Sequence, residues 1–418
     1  MVLRRELGDR PAIARGIAAL GTALNTAWRT GEAIALLEPA AAEFADLADD
    51  ASGIMLGSQL ARGLFLNAEH RRAIEVADRV LAAAERADIR PVIVDTLVTK
   101  GSALGFAGRS VEGLALLAGG QAIAAAEGFS VIQLRALGNR SAVDSSRDPR
   151  AAVSEAREGL ALARRVGHRS MATILASNGA ESALRTGDWA WATATMEAVL
   201  ADDLEMSDRA AAIATVIQFA AARGEPTGEL IAELNRLVGG STDPQNAMNV
   251  PAAAGFVAFA DGDLAKARAA WNELRGFVPE STPIAAARAA RAALWLGDAD
   301  GAAADLSAMM AFGAHGSAIE ADRTTIRAGL AALAGQAGDA LLLYRDALRA
   351  WRDLGCRWDE ALAGLDMAIL LDPTHPDVAA AAARSREILG GLGAVPMLER
   401  LDEAMTRAGA VPEARTPA

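Results

Sequence analysis

Apolar residues recur at three- and four-residue spacings through almost the whole chain, in blocks of one helix length broken by short polar or glycine-bearing turns. The spacing predicts helices at 11–29 and 32–48, then 51–67 and 69–87. A third pair starts at Pro91, where a missing N–H costs nothing in a first turn, and ends near Glu127. A fourth pair is irregular: Leu137-Gly138 is followed by a longer turn, Ser145 to Pro149, before Ala152. Pairs follow at 169–186 with 188–201, 245–260 with 263–277, 282–296 with 299–312, 317–334 with 339–354, and 358–371 with 376–389. A single helix at 395–408 follows them, and the tail 411–418 is expected to be disordered.

Small residues sit 12 apart across these turns: Gly21 and Ala33, Ala61 and Ala73, Gly101 and Gly113, Ala180 and Ala192, Gly255 and Ala267, Ala290 and Ala302, Ala328 and Ala340. Antiparallel helices approach closely only where both backbones lack bulk, so each pair marks the contact inside a hairpin. The second members step by 40, 40, 79, 75, 35 and 38 residues. Each long step spans two repeats, giving a period of about 38 residues, within the range of helix-pair solenoids. Four turns, Gly187-Asp188, Gly262-Asp263, Gly297-Asp298 and Gly338-Asp339, pair a helix-ending glycine with a capping aspartate. The sixth repeat breaks the pattern, with Ile217 and Glu229 at the small positions. Any bend or boundary in the array is expected at the loop-like stretch 238–245, between 1–238 and 245–410 of one continuous solenoid.

Leu20-Gly21…Ala33, Leu60-Ala61…Ala73, Lys100-Gly101…Gly113 and Ala254-Gly255…Ala267 resemble the tetratricopeptide repeat, which has Leu-Gly late in its first helix and Ala early in its second. The resemblance implies an all-α, right-handed solenoid of about ten hairpins closed by a C-terminal capping helix. The repeats here are longer than is usual for that family, and Leu and Ala replace most of its aromatic residues.

Composition agrees with thin, continuous packing: hydrophobic residues make up 52% of the chain and aromatic residues 4%. The net charge of -12 argues against a nucleic-acid grip, and no stretch reads as a membrane span or signal peptide. The single Cys356 leaves no internal disulfide and fits a reducing cytoplasm. The phosphate loop, the HExxH and CxxC metal motifs and any dinucleotide fingerprint are missing. The four histidines fall near turns in separate repeats and read as solvated. The tryptophans read as packing residues, with Trp351 or Trp358 partly exposed beside Cys356. No catalytic, cofactor or metal residue is therefore predicted.

The residue following each small position faces the concave groove, where such arrays hold extended peptides. In this column Arg62, Asn139, Glu181 and Arg291 are the predicted contacts for a protein or peptide partner.

Three stretches also look like the tetratricopeptide arrays of large signalling ATPases: Arg71 to Leu81, Leu184 to Trp189, and Ile388 to Pro396. That resemblance implies the regulatory arm of an adenylate/guanylate cyclase–ATPase protein, with the partner module in the same or another chain. The alternative is the corresponding part of a LuxR-type transcriptional regulator, and a helical-toroid enzyme is a third reading.

Overall fold

The computed structural model describes residues 8–241 and 243–407; the predicted disordered tail lies outside them. Ten helix hairpins run in order. They are Arg10–Thr26 with Thr30–Glu43, Ala51–Leu66 with His70–Arg86, Arg90–Phe106 with Ser110–Glu127, Ser130–Asp144 with Pro149–Val166, and Arg169–Thr186 with Trp189–Leu200. The second five are Met206–Arg223 with Gly228–Val238, Asn249–Asp261 with Leu264–Phe277, Thr282–Trp295 with Ala299–Ala311, Ser317–Leu333 with Ala337–Leu354, and Arg357–Leu370 with Pro376–Leu392. A last helix, Val395–Arg407, caps the stack, and no strand occurs among the described residues. The fold is thus an α-solenoid, and its first helices form the inner layer.

The small-residue column explains the hairpins. Ala33, Ala61, Ala73, Ala180, Ala192, Ala267, Ala290, Ala302, Ala328 and Ala340 are all fully buried. A Cβ on Gly113 would stand 2.5 Å from the Gly101 carbonyl oxygen, so these two backbones touch. Two of the four Gly-Asp turns form as predicted: Gly262 and Gly297 are left-handed, and Asp263 and Asp298 accept from Lys266 N–H and Gly301 N–H. At the third, Gly187 is left-handed and Asp188 stands at the N-cap, but its side chain accepts from Thr186 Oγ1 and caps no N–H. The fourth differs. The turn falls at left-handed Gly335, and Gly338-Asp339 lies inside the helix that follows. Gln336 takes the capping position instead, three residues earlier than the sequence reading placed it.

The sixth hairpin keeps its register without small residues, because Ile217 packs with Leu234 and Val238 against Ala253 of the next hairpin. The short helix Pro244–Ala247 lies between the two, and apolar packing runs from Leu234 and Val238 to Ala253 beyond it.

Solenoid repeats ordinarily touch only their neighbours. Here the coil also meets itself about five hairpins later. Ala318 N–H donates to the Arg147 carbonyl at 3.0 Å, and Arg147 Nε donates to the His315 carbonyl at 2.9 Å. Arg185 of the fifth hairpin pairs with Asp322 of the ninth and Asp359 of the tenth. Arg400 of the capping helix donates to the Phe259 carbonyl of the seventh at 3.2 Å. The largest apolar core lies in this overlap, with Trp189, Trp271, Tyr344, Trp351 and Trp358 buried in it. The sequence expectation that Trp351 or Trp358 is partly exposed is therefore not met, since both indoles pack between turns of the coil.

Candidate functional site

The overlap closes the concave face laterally and leaves a recessed cavity of about 350 Å3. Its polar lining comes largely from successive first helices, and each of three in a row supplies a carboxamide. Asn139 belongs to the fourth, Asn178 to the fifth and Gln218 to the sixth. Phe65 and Phe106 supply apolar surface from the second and third hairpins, and Leu274 and Ile284 from the seventh and eighth. Asn178 is held in place by donating to the Gly138 carbonyl at 3.1 Å. No hydrogen bond engages the side-chain amides of Asn139 and Gln218 among the described residues, so both are free for a ligand.

Two of the four predicted groove residues, Asn139 and Glu181, line this cavity. Glu181 faces Arg288 at 3.8 Å across the coil. Arg62 is half-buried away from the lining, with no carboxylate in contact among the described residues. The Arg135 guanidinium beside it, and then burial, push the Arg62 pKa down to about 9, while Arg135 itself is paired with Asp95. Arg291 does not reach the cavity. It is buried and donates to both Asp366 oxygens at 3.1 Å, a carboxylate also bound by Trp295 Nε1. On its helix the arginine that reaches the cavity is Arg288, three positions earlier.

Between the turns lies a buried cluster of Arg185, Arg291, Asp322, Asp359 and Asp366. Burial works against the Arg185 charge, but Asp322 and Asp359 outweigh it and hold the guanidinium above its ordinary range. Burial pushes Asp322 and Asp366 up, opposed by Arg185 and Arg291 respectively. A space of only about 30 Å3 adjoins this cluster, so the cluster is cement between turns and holds no ligand. An outer groove of about 460 Å3 is lined by Arg345, Arg349, Arg352 and Arg384, but Asp377, Asp346, Glu360 and Glu387 already pair with them.

Sequence reading missed Asn178, Gln218 and Arg288. Gln218 stands in the predicted column, directly after Ile217, in the repeat that breaks the small-residue rule. Asn178 and Arg288 lie one helical turn before Glu181 and Arg291, on the same helices. Of the histidines, His315 is exposed, in keeping with the solvated reading, and the other three differ from it. His168 and His375 cap helices through Nδ1, and His70 is largely buried at the contact between turns.

Among the described residues no cluster of three or more His, Cys, Asp or Glu side chains is placed to hold a metal, and no helix is long and apolar enough to cross a membrane. Cys356 is buried, and burial raises its thiol well above the usual range, which removes it as a nucleophile.

The architecture defines a repeat protein of helix hairpins, which is what the tetratricopeptide resemblance implies. No family model and no curated protein matches the chain. Among solved structures it is similar to a Rap protein complexed with Competence and Sporulation Factor, at 12% identity over 96% of this chain and 99% of that one, with a TM-score of 0.47. It is also similar to a monomeric IFIT1 mutant with m7Gppp-AAAA, at 12% identity over 95% and 90% of the two chains, TM-score 0.46. For yeast Tom70 the values are 10% identity, 97% and 98%, and a TM-score of 0.30. Likeness at this level concerns the arrangement of helices and carries no argument about ligands.

Proposed function

We propose that this chain is a non-catalytic interaction scaffold that holds a short peptide segment of a partner protein inside its coil. The observation that carries the reading is the cavity of about 350 Å3 with unengaged amides, Asn139 and Gln218, on the inner helices. A carboxamide both donates and accepts, as a peptide bond does, so amides on successive repeats suit an extended backbone. The apolar surface of Phe65, Phe106, Leu274 and Ile284 suits intervening side chains. The size falls within the range of pockets for small ligands and short peptides, about 300–1,000 Å3. Regulation of a cyclase or ATPase module, in the same chain or another, is the context proposed for this binding on the three stretches quoted above.

The test is enrichment of a degenerate hexapeptide library on the immobilised full chain, compared with Asn139→Leu/Gln218→Leu. The expected result is retention of defined peptides by the wild type and their loss from the double variant. Retention of the same peptides by both proteins, with both folded, overturns the assignment of the cavity.

A further inference from the structure

Carboxylates and cations are unevenly matched around the cavity. Glu181, Asp208 and Glu280 line it, together with Arg147 and Arg288. Both arginines are committed. Arg288 faces Glu181 at 3.8 Å, and Arg147 is held by Asp144 at 2.9 Å and by the His315 carbonyl. Asp208 and Glu280 therefore have no arginine or lysine partner among the described residues.

Each is also poorly hydrogen-bonded. Glu280, in the turn between the seventh and eighth hairpins, has a side chain only 15% exposed, and its Oε2 is buried without a hydrogen-bond partner. His70 Nε2 lies 3.8 Å from this oxygen, too far for a hydrogen bond and a counter-charge only when the imidazole is protonated, and both His70 nitrogens are buried without a hydrogen bond as well. Phe65 and Phe106 stack at 5.6 Å beside that imidazole and form the adjoining cavity wall. Asp208, in the first turn of Met206–Arg223, is 9% exposed and accepts one long bond from Ser170 Oγ at 3.5 Å. Burial pushes its pKa up.

Among the described residues these buried carboxylates have only histidines as cationic neighbours, His70 at Glu280 and His168 near Asp208. No permanent charge therefore balances them, and a buried unbalanced charge is costly unless something else supplies its partner. We infer that the ligand supplies it: the cavity takes a peptide segment bearing a cationic side chain, lysine or arginine, whose charge seats against Glu280 beside the Phe65 and Phe106 rings, with Asp208 as the second anionic contact. The inference rests on the cavity reading above and adds the charge of its ligand. Aromatic faces next to a carboxylate favour a desolvated ammonium or guanidinium over a neutral group. A ligand carboxylate in the same place would meet an unpaired anion and be rejected.

The test uses four pools of hexapeptides, with the third position fixed as Lys, Arg, Gln or Glu and the others degenerate, equilibrated with the immobilised full chain. The wild type is expected to retain the Lys and Arg pools at least tenfold over the Gln and Glu pools. Glu280→Gln and Asp208→Asn, checked for folding by circular dichroism, are each expected to reduce that preference at least tenfold. Glu280→Lys is expected to move it to the Glu pool, a reversal that a folding defect does not produce. If all four pools bind the wild type equally and Asn139→Leu/Gln218→Leu loses all of them, the cavity holds peptides and the charge assignment is wrong. If a cationic preference exists and survives Glu280→Gln and Asp208→Asn unchanged, these carboxylates are not its source. If the wild type retains no pool, both readings fall.

Discussion

Arg185 Nε and Asp359 Oδ2 lie 2.9 Å apart although 174 residues separate them along the chain. Both side chains are buried, and Asp322 accepts from the same guanidinium at 3.0 Å. The contact joins the fifth hairpin to the ninth and tenth, so stability here is not a sum over neighbouring repeats alone. Removing the arginine leaves two buried carboxylates facing each other. Arg185→Ala is expected to cost about 3–5 kcal/mol, whereas Arg345→Ala, at an exposed pair with Asp377, is expected to cost about 0–1 kcal/mol. Urea denaturation followed by far-UV circular dichroism distinguishes them. Arg185→Ala is further expected to split a single transition into two, as the turns of the coil uncouple. One sharp transition with an unchanged midpoint would show that the overlap adds nothing.

The hairpin frame makes a second prediction, at the point where the seventh hairpin closes. Ala267 is fully buried, and on the facing helix a Cβ at Gly255 would stand 2.3 Å from the Trp271 indole nitrogen. No space remains for three more carbons. Ala267→Leu is expected to cost roughly 1–3 kcal/mol through overpacking. Ala267→Gly removes bulk instead and is expected to cost about 1 kcal/mol through helix propensity. Thermal melts that rank Leu no worse than Gly would contradict the close approach.

The repeat itself was legible because its cause is local. Gly101 and Gly113 must both be small for the two backbones to touch, and a 12-residue offset records that need in the sequence. Helix ends were legible where a capping aspartate stands next to a left-handed glycine, as at Gly262-Asp263. They were misplaced at Gly338-Asp339, where Gly335 offers a rival turn three residues earlier. The site was less legible, because its walls depend on how far the coil has turned after about five hairpins. That angle is the accumulated result of small rotations at every interface, and no local signal encodes it. The sequence contains Arg147 and His315 without showing that they meet. The choice of Arg291 over Arg288 fails for a related reason. Three residues on a helix differ by about 60° in direction, enough to move one guanidinium into the cavity and the other onto Asp366.

The turn at Ala68 carries strain that can be removed. Ala68 has a φ of 61°, and the equivalent turn of the next hairpin has Gly108 at 86°. A side chain in the left-handed region costs roughly 1–2 kcal/mol, part of which a glycine gives back by loosening the unfolded chain. Ala68→Gly is expected to stabilise the protein by about 0.5–1 kcal/mol, read as a rise in the urea midpoint. A fall in that midpoint would mean that the methyl group makes contacts worth more than the strain.

Glu155 predicts an unusual dependence of stability on pH. It is buried on the second helix of the fourth hairpin and pairs with Arg140 at 2.6 Å. Burial raises its pKa to about 7; Arg140 opposes the shift, and the nearby Asp144 and Glu158 reinforce it. Between about pH 4.5, where the unfolded carboxyl titrates, and about pH 7, the folded protein holds a proton that the unfolded chain has lost. Stability from this group is therefore present in full below that window and declines as pH rises through it, by at most about 3 kcal/mol. A carboxylate with a depressed folded-state value would give the opposite slope. Glu155→Gln keeps the shape and stays neutral, so its urea midpoint is expected to depend less on pH between 5 and 8 and to exceed that of the wild type at pH 8. Parallel curves for the two proteins across that window would mean that Arg140 keeps the carboxylate ionised in the folded state despite its burial.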